Sequence, residues 1–401
     1  MGRAGPVSDR PRVVLVRGHL VAPWDLQAWE RLSDRFDIRY LETRQNIFDT
    51  DAVALPVQSV RAVRDLLPRG RVGDVVAGVV GERYLRIDDA LADADIVHAA
   101  ELSFWFTADV ARRKARHRFK LVATIWETLP LLNTFRNRHA REYRRETLAA
   151  ADLFLAATER ARDGLILEGV DPDRILVSYP GVALDRFEAA ARPDPPPTEH
   201  VLISPGRLVW EKGHQDVMRA IAALERGVVP APAGVRPRLL VVGSGPERGR
   251  LESFAHELGI GDRVEFGAVD YADMPELYAR ASCMVLASLS SAGCSVYLGD
   301  PPRCFWEEQF GLVLAEAMAA GLPIVASGSG AIPEVVGDSG VFFTPGDWIG
   351  LARQLAAGPL AQPPGERVEH PRARVQLYST AAAGDRLAAA YERVLAPSSS
   401  S

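Results

Sequence analysis

Short, almost uninterrupted apolar runs recur along the first half of the chain, at Val13–Val16, Ile38–Leu41, Asp95–His98, Leu121–Ile125 and Leu153–Ala157. Between them lie longer stretches in which apolar residues return at helical spacing, as Trp24, Leu26, Trp29 and Leu32 do. A strand buried on both faces reads as a continuous apolar run, whereas one wet face would give strict alternation. Strands of this kind alternating with helices predict parallel β-α-β units wound on both sides of a sheet. The pattern ends near Phe187. The segment 188–200, EAAARPDPPPTEH, follows with four prolines and predicts a stiff, extended connector. A second series then begins with HVLISPGRL and continues through RLLVVGSGP, RVEFGAV, CMVLASL, LPIVASG and GVFFTPG. Each run ends in glycine, proline or serine, at the strand ends where such sheets bind ligands. The predicted fold is therefore α/β, with two Rossmann-like doubly wound domains, residues 1–187 and 201–377, facing a cleft. A last helical pattern at 378–397 lies beyond the second series.

The chain has 401 residues, which suits two cores better than one. Hydrophobic residues make up 47% and charged residues 25%, the balance of a soluble globular protein. A net charge of -5 gives no footprint for nucleic acid. The three cysteines, Cys283, Cys294 and Cys304, include no C-x-x-C pair, so neither a disulfide framework nor a zinc site is expected. No signal-like segment or apolar run of membrane-spanning length appears, and a cytoplasmic location is expected, with the inner membrane surface as a further option. No internal repeat is visible.

Candidate chemistry concentrates in the second domain. GRLVWEKG, residues 206–213, follows a predicted strand and leads into a helix. Such a strand-end loop is a natural anion site. Arg207 could fork onto a phosphate and Lys212 act as a point charge, while Gly206 lets backbone approach closely. WEEQFGLVLAEAM places Glu308 and Glu316 eight residues apart, Glu308 in the loop before a helix and Glu316 within it. Carboxylates accept hydrogen bonds from hydroxyls, and the N–H groups of Phe310, Gly311 and Leu312 at a helix start are unspent donors, a combination that suits a polyhydroxylated ligand. Alone, the Arg207–Lys212 loop is equally compatible with solvated surface charge and the Glu308–Glu316 pair favours that reading; the two together favour a ligand site. Gly243, in VVGSGP, is read either as a ligand approach or as a tight turn.

Taken in order, GRLVWEKG, LLVVGSGP, VEFGAV, MPELYARASCMVLAS, WEEQFGLVLAEAMAAGLPIVAS, GAIPEVVG and GVFFTPGD resemble the donor domain of glycosyltransferase family 4, retaining enzymes of the GT-B fold. The resemblance spans about Val201 to Pro345. It implies that Arg207 and Lys212 hold a donor diphosphate. Glu308 and the Phe310–Leu312 backbone would hold the sugar, Glu316 would meet the ribose hydroxyls, and Val269 would lie near the base. It also implies that the closing helix packs back on the N-terminal domain. In that domain the family's Gly-rich first loop is reduced to Gly18. The strand end that often carries His-Asp reads TIWETLP, with Trp126 and Glu127 in those places. Glu127 is the candidate for orienting an acceptor, with His19, His98 and Trp126 as further acceptor-side candidates; His98 is read either as facing the cleft or as structural.

The expected activity is transfer of a hexose-type sugar from a nucleotide-diphosphate donor to an unidentified acceptor. No metal or other cofactor is expected. The alternatives are a nucleotide-sugar hydrolase or epimerase of the same fold and a non-catalytic nucleotide-sugar binder. Asp93 and Asp95 mimic a metal motif of another fold but are read as a turn. Residues 101–150 hold 11 Lys/Arg against 5 Asp/Glu, and a weak membrane contact is considered through 111–145. The segment 290–305 is read either as a lid or specificity loop or as a neutral surface insertion.

Overall fold

The protein is described as a computed structural model covering residues 10–132, 138–290 and 306–397. The chain divides into two units: residues 1–182 with 379–401, and residues 183–378. The first holds a parallel sheet of β1 (Arg12–Val16), β2 (Asp37–Thr43), β3 (Val57–Val60), β4 (Ile96–Ala100), β5 (Lys120–Ile125), β6 (Leu153–Ala156) and β7 (Ile175–Val177). Its order is β3-β2-β1-β4-β5-β6-β7. The second holds β8 (Val201–Pro205), β9 (Arg238–Val242), β10 (Val264–Gly267), β11 (Cys283–Leu286), β12 (Ile324–Ser327) and β13 (Val341–Phe343), ordered β10-β9-β8-β11-β12-β13 and also parallel throughout. In both sheets the winding reverses beside the first strand, between β1 and β4 and between β8 and β11. That switch point opens a crevice at the carboxyl ends of the strands, because the connections on its two sides leave in opposite directions.

The apolar runs work as their pattern predicts. Successive residues of β1 enter different cores: Val14 and Val16 pack with Phe106 and Val110, and Val13 and Leu15 pack with Leu26, Trp29 and Tyr391. Tyr391 belongs to the C-terminal helix Thr380–Leu395, which lies in the first unit. Its hydroxyl accepts from Trp29 Nε1 at 2.7 Å, and its Leu387, Ala388 and Ala390 are buried.

The expected boundary at residue 187 falls instead after Val182. Phe187 meets the Tyr278 ring edge-on at 5.2 Å, and Arg186 donates to the carbonyls of Tyr271 and Ala272 at 3.0 and 2.8 Å, so this short turn is held by the second unit. Residues 188–200 belong to the second unit as well. His200 Nε2 lies 2.9 Å from the Gln362 carbonyl oxygen, and Pro197 borders Gly365.

Candidate functional site

At the switch point of the second sheet, the loop after β8 is forced into shape by glycine. A Cβ on Gly213 (φ +72°) would stand 1.8 Å from the Ala287 carbonyl oxygen, just past β11. Only glycine allows the two strand-end loops to close to that distance. Neighbouring loops interlock in the same way: a Cβ on Gly243 would stand 2.0 Å from the Gly206 oxygen, and one on Gly245 2.4 Å from the Leu208 oxygen. Gly243 thus serves backbone-to-backbone packing of the β9 end against the β8 end, whereas a Cβ on Gly206 would come nearest the Lys212 side chain, at 3.7 Å. His214, buried behind the loop, lies 2.9 Å from Ser204 Oγ and 3.2 Å from the Arg207 carbonyl oxygen. Burial draws its pKa down to about 4, so it is neutral and pins the loop through hydrogen bonds rather than charge.

This loop delivers Lys212 to Glu308. The ammonium lies 2.9 and 2.6 Å from the two Glu308 oxygens, and Ser288, beyond β11, donates to Oε2 at 2.6 Å. Glu308 is 5% exposed. Its own backbone is fixed: the N–H donates to Ser329 Oγ at 3.2 Å, and the carbonyl accepts from Ala331 at 2.8 Å. Gly330 (φ +53°) permits this crossing, since a Cβ there would stand 2.1 Å from the Glu308 oxygen. Trp306 flanks the ammonium at 5.0 Å from its ring centre. A carboxylate has about four lone-pair sites. Three are engaged here, which leaves capacity for one further donor. Arg207 in the same loop is exposed, and among the described residues its side chain makes no ion pair. The site therefore combines a neutralised Lys–Glu pair with an uncompensated guanidinium.

Glu316 occupies a separate network. It lies in the helix Leu312–Ala319, which starts from Gly311 at φ +81°. Tyr278 and Tyr271 donate to its two oxygens at 2.9 and 3.1 Å. Burial raises its pKa to about 7, against the lowering effect of the two tyrosine hydroxyls and Arg186. A carboxyl whose folded pKa lies above its unfolded value stabilises the fold in its protonated form, and this advantage is lost as pH rises from about 4.5 through 7. Relative to Glu316→Gln, the native protein should lose on the order of 3 kcal/mol between pH 4.5 and 8. Urea unfolding of both proteins across that range measures the difference; a constant gap would mean that Glu316 does not titrate there. Phe310 has its ring buried edge-on against Tyr378 at 5.3 Å, so its backbone alone could serve a ligand. Val269 is 40% exposed beyond β10.

In the first unit Gly18 (φ +61°) follows β1, and its N–H donates to the Tyr84 hydroxyl at 3.2 Å. His19 stacks on Trp105 at 6.4 Å and lies 3.8 Å from Glu82. His98 requires a correction. It does not face a cleft: it is fully buried, with Nδ1 2.6 Å from the Tyr391 hydroxyl and Nε2 2.7 Å from Thr124 Oγ1, and Trp29 packs against its ring. Both ring nitrogens are engaged inside the core, which makes it a structural residue. Trp126 is half-buried, and Glu127 accepts from the N–H groups of Thr128 and Leu129 at 3.0 and 2.9 Å.

Beside Glu127 stands Glu101, which the sequence reading passed over. It follows β4 with φ +64°, unusual for a residue bearing a side chain, and accepts from the Trp126 N–H at 2.9 Å. Burial, and then repulsion from Glu127, raise its pKa to about 8. No local motif marks it, because the strain and the pairing arise only when the β4 and β5 ends meet. Ser288, Tyr271 and Tyr278 were also missed, although all three fall in or beside segments whose order carries the resemblance.

Asp95 accepts from the Arg12 N–H at 2.7 Å and Asp93 pairs with Arg12 at 3.3 Å, the turn that sequence suggested. Several of the cations over 111–145 are paired. Arg112 meets Glu146 at 2.7 Å, Lys114 meets Asp152 at 2.7 Å and Arg116 meets Asp88 at 3.2 Å, while Arg113 pairs with Asp109 and Arg144 with Glu168. Cys294, Cys304 and nearly all of the 290–305 segment lie outside the described residues. No helix among the described residues is long and apolar enough to cross a membrane.

Two family profiles match the chain. Residues 49–186 match the one described as Glycosyltransferase Family 4, and residues 185–357 the one described as Glycosyl transferases group 1. Together they run without a gap over more than three quarters of the sequence. The chain belongs to the family 4 glycosyltransferases and has the GT-B fold.

Among its relatives, the D-inositol 3-phosphate glycosyltransferase of Streptomyces bingchenggensis is 31% identical over 239 residues, 53% of this chain and 47% of that protein. D-inositol 3-phosphate glycosyltransferase 2 of Catenulispora acidiphila is 33% identical over 259 residues, 59% and 56% of the two chains. The chain spans about half the length of the curated relatives it matches. Among solved structures, Anabaena HepE in complex with UDP and glucose superposes with a TM-score of 0.67 at 19% identity, covering 96% of this chain and 100% of that one. Sucrose-phosphate synthase from Thermosynechococcus elongatus gives 0.69 at 18% identity, with 96% and 99% covered.

Proposed function

We propose that the chain is a retaining glycosyltransferase that moves a hexose-type sugar from a nucleoside-diphosphate donor to a hydroxyl-bearing acceptor. The observation that carries this reading is the Lys212–Glu308–Ser288 cluster at the second sheet's switch point, with the uncompensated Arg207 in the same loop. A nucleoside-diphosphate sugar has two charge characters, an anionic diphosphate and a neutral polyol, and the site offers one group suited to each. Arg207 would bind the diphosphate. Lys212, already clasped by Glu308, would sit between diphosphate and sugar, and the remaining lone-pair site of Glu308 would accept a sugar hydroxyl. The N–H groups at the start of the Leu312–Ala319 helix would add donors, and Glu316, once ionised, would accept from ribose. Solved neighbours lend support, since Anabaena HepE crystallises in complex with UDP and with UDP-glucose.

In this reading the sugar–phosphate bond breaks with negative charge growing on the leaving diphosphate, and the protein's cations meet that charge without a metal. The leaving phosphate takes the acceptor proton on the same face of the sugar, so configuration is retained. The catalytic power then lies in positioning and charge rather than in an enzyme nucleophile. Glu127 and Glu101, at the ends of β5 and β4, are the carboxyls proposed to orient the acceptor.

A panel of nucleoside diphosphates and nucleotide sugars tests the donor half of the proposal by thermal shift. A ligand that binds only the folded state adds about 2.7 kcal/mol at a hundredfold excess over Kd. One base should give a clear shift. Arg207→Ala should remove most of it while leaving the unliganded melting temperature unchanged, because the native side chain is exposed and makes no ion pair among the described residues. A panel without any response would overturn the donor site.

A further inference from the structure

The helix Arg71–Val80 is built inside out. A surface helix of a globular protein turns its apolar stripe inward and its polar face to water. Here the residues turned inward are the small ones, Gly73 and Ala77, both buried. The valines face solvent: Val72 is 69% exposed, Val75 67%, Val79 76%, Val80 55% and Val76 36%. At 100° per residue these five positions fall within a single arc of about 140°. Leu66, 68% exposed, ends the 3-10 turn Val63–Leu66 against which this helix packs. Scattered apolar side chains on a surface need no explanation, but a contiguous face of β-branched residues marks a contact site.

The segments that flank this helix are cationic. Residues 61–86 contain six arginines and three acids. Arg61, Arg69, Arg83 and Arg86 are exposed, and among the described residues none of them makes an ion pair. Of the nearby acids, Glu82 is paired with Arg64 at 2.8 Å, and Asp65 accepts from the N–H groups of Ala62 and Gln45 at 2.8 and 3.0 Å. The two arginine-bearing flanks are tied together at the base of the helix, where Val63 N–H meets the Arg83 carbonyl at 2.9 Å and Leu85 N–H meets the Arg61 carbonyl at 2.8 Å. An apolar stripe flanked in the chain by exposed guanidinium groups that make no ion pair among the described residues is complementary to one kind of surface in particular, acyl chains beneath anionic headgroups.

We infer that the Arg71–Val80 helix docks the chain on an anionic lipid surface, with its valines entering the headgroup–acyl boundary and the flanking arginines meeting the headgroups. This contact is separate from the paired basic helices over 111–145. It is independent of the donor chemistry, so either idea can fail without the other.

The test uses the purified full chain sedimented with vesicles of equal parts phosphatidylglycerol and phosphatidylcholine, and with phosphatidylcholine alone. Binding is expected to the anionic vesicles only, and to weaken at high salt. Val75→Ser/Val79→Ser should lower the partition coefficient at least tenfold. Arg61→Gln/Arg86→Gln should lower it about fivefold per charge. All substituted side chains are exposed, so unchanged melting curves are expected and would exclude misfolding. The inference is overturned if the chain fails to sediment with anionic vesicles at low salt, or if sedimentation is indifferent to the valine substitutions. It is equally overturned if those substitutions abolish self-association of a chain that does not bind vesicles, which would assign the face to a second copy.

Discussion

Lys212→Ala is expected to weaken nucleoside-diphosphate binding by ten- to a hundredfold and to destabilise the protein by about 3 kcal/mol. The two effects share a cause. Glu308 is 5% exposed, and its charge is compensated by one ammonium at 2.6 and 2.9 Å and supported by one hydroxyl. Removing the ammonium leaves a carboxylate with nowhere to send its field except Ser288, and the desolvation cost is then unopposed. A double substitution, Lys212→Met with Glu308→Gln, separates structure from function. It removes both charges while keeping the approximate volume, and should recover most of the lost stability. Binding should stay weak. Urea unfolding and titration calorimetry on the three proteins measure both quantities. Recovery of binding along with stability would show that the pair is merely structural.

Gly213→Ala should be as damaging, although it removes no functional group. The residue sits at φ +72° with the Ala287 carbonyl oxygen 1.8 Å from where a Cβ would stand. A methyl group there must push the loop after β8 away from the end of β11, and neither side of the contact is a flexible side-chain tip. The expected cost is about 3 kcal/mol or more, from backbone strain and displaced packing together. Because Lys212 is the preceding residue, a displacement on the order of 1 Å would also carry its ammonium off Glu308, and misplacement of that size costs about a hundredfold in a positioned reaction. The measurements are the melting temperature and the nucleotide-induced shift. An alanine variant with native values for both would contradict the account of this turn.

Much of the architecture is legible in sequence because its causes are local. A strand buried on both faces is apolar at nearly every position, so β1, β5, β8 and β12 announce themselves as almost continuous apolar runs. The loops that close against one another need glycine, and Gly213 and Gly243 stand in the loops that follow the strands. The Glu308–Glu316 spacing is likewise a property of one short segment. What stretches of sequence cannot carry is the identity of a side chain's partner. Lys212 and Glu308 lie 96 residues apart, and His98 and Tyr391 lie 293 apart. In sequence His98 closes an apolar run as a cleft residue would, but it stands in the middle of β4, and the return of the C-terminal helix fills its surroundings and turns it into core. Glu101 reads as an ordinary acid until the end of β5 brings Glu127 and the Trp126 N–H against it. The Arg71–Val80 helix is the sharpest instance: its valines and small residues share one helical periodicity, and the pattern alone fixes two faces without saying which turns inward. Sequence determined the elements, their parallel winding and the loops that bear the chemistry, since those follow from burial and backbone freedom along the chain. Tertiary structure decided which charges are neutralised, which carboxyls are held protonated and which apolar face stays bare, because each depends on groups brought together from distant parts of the sequence.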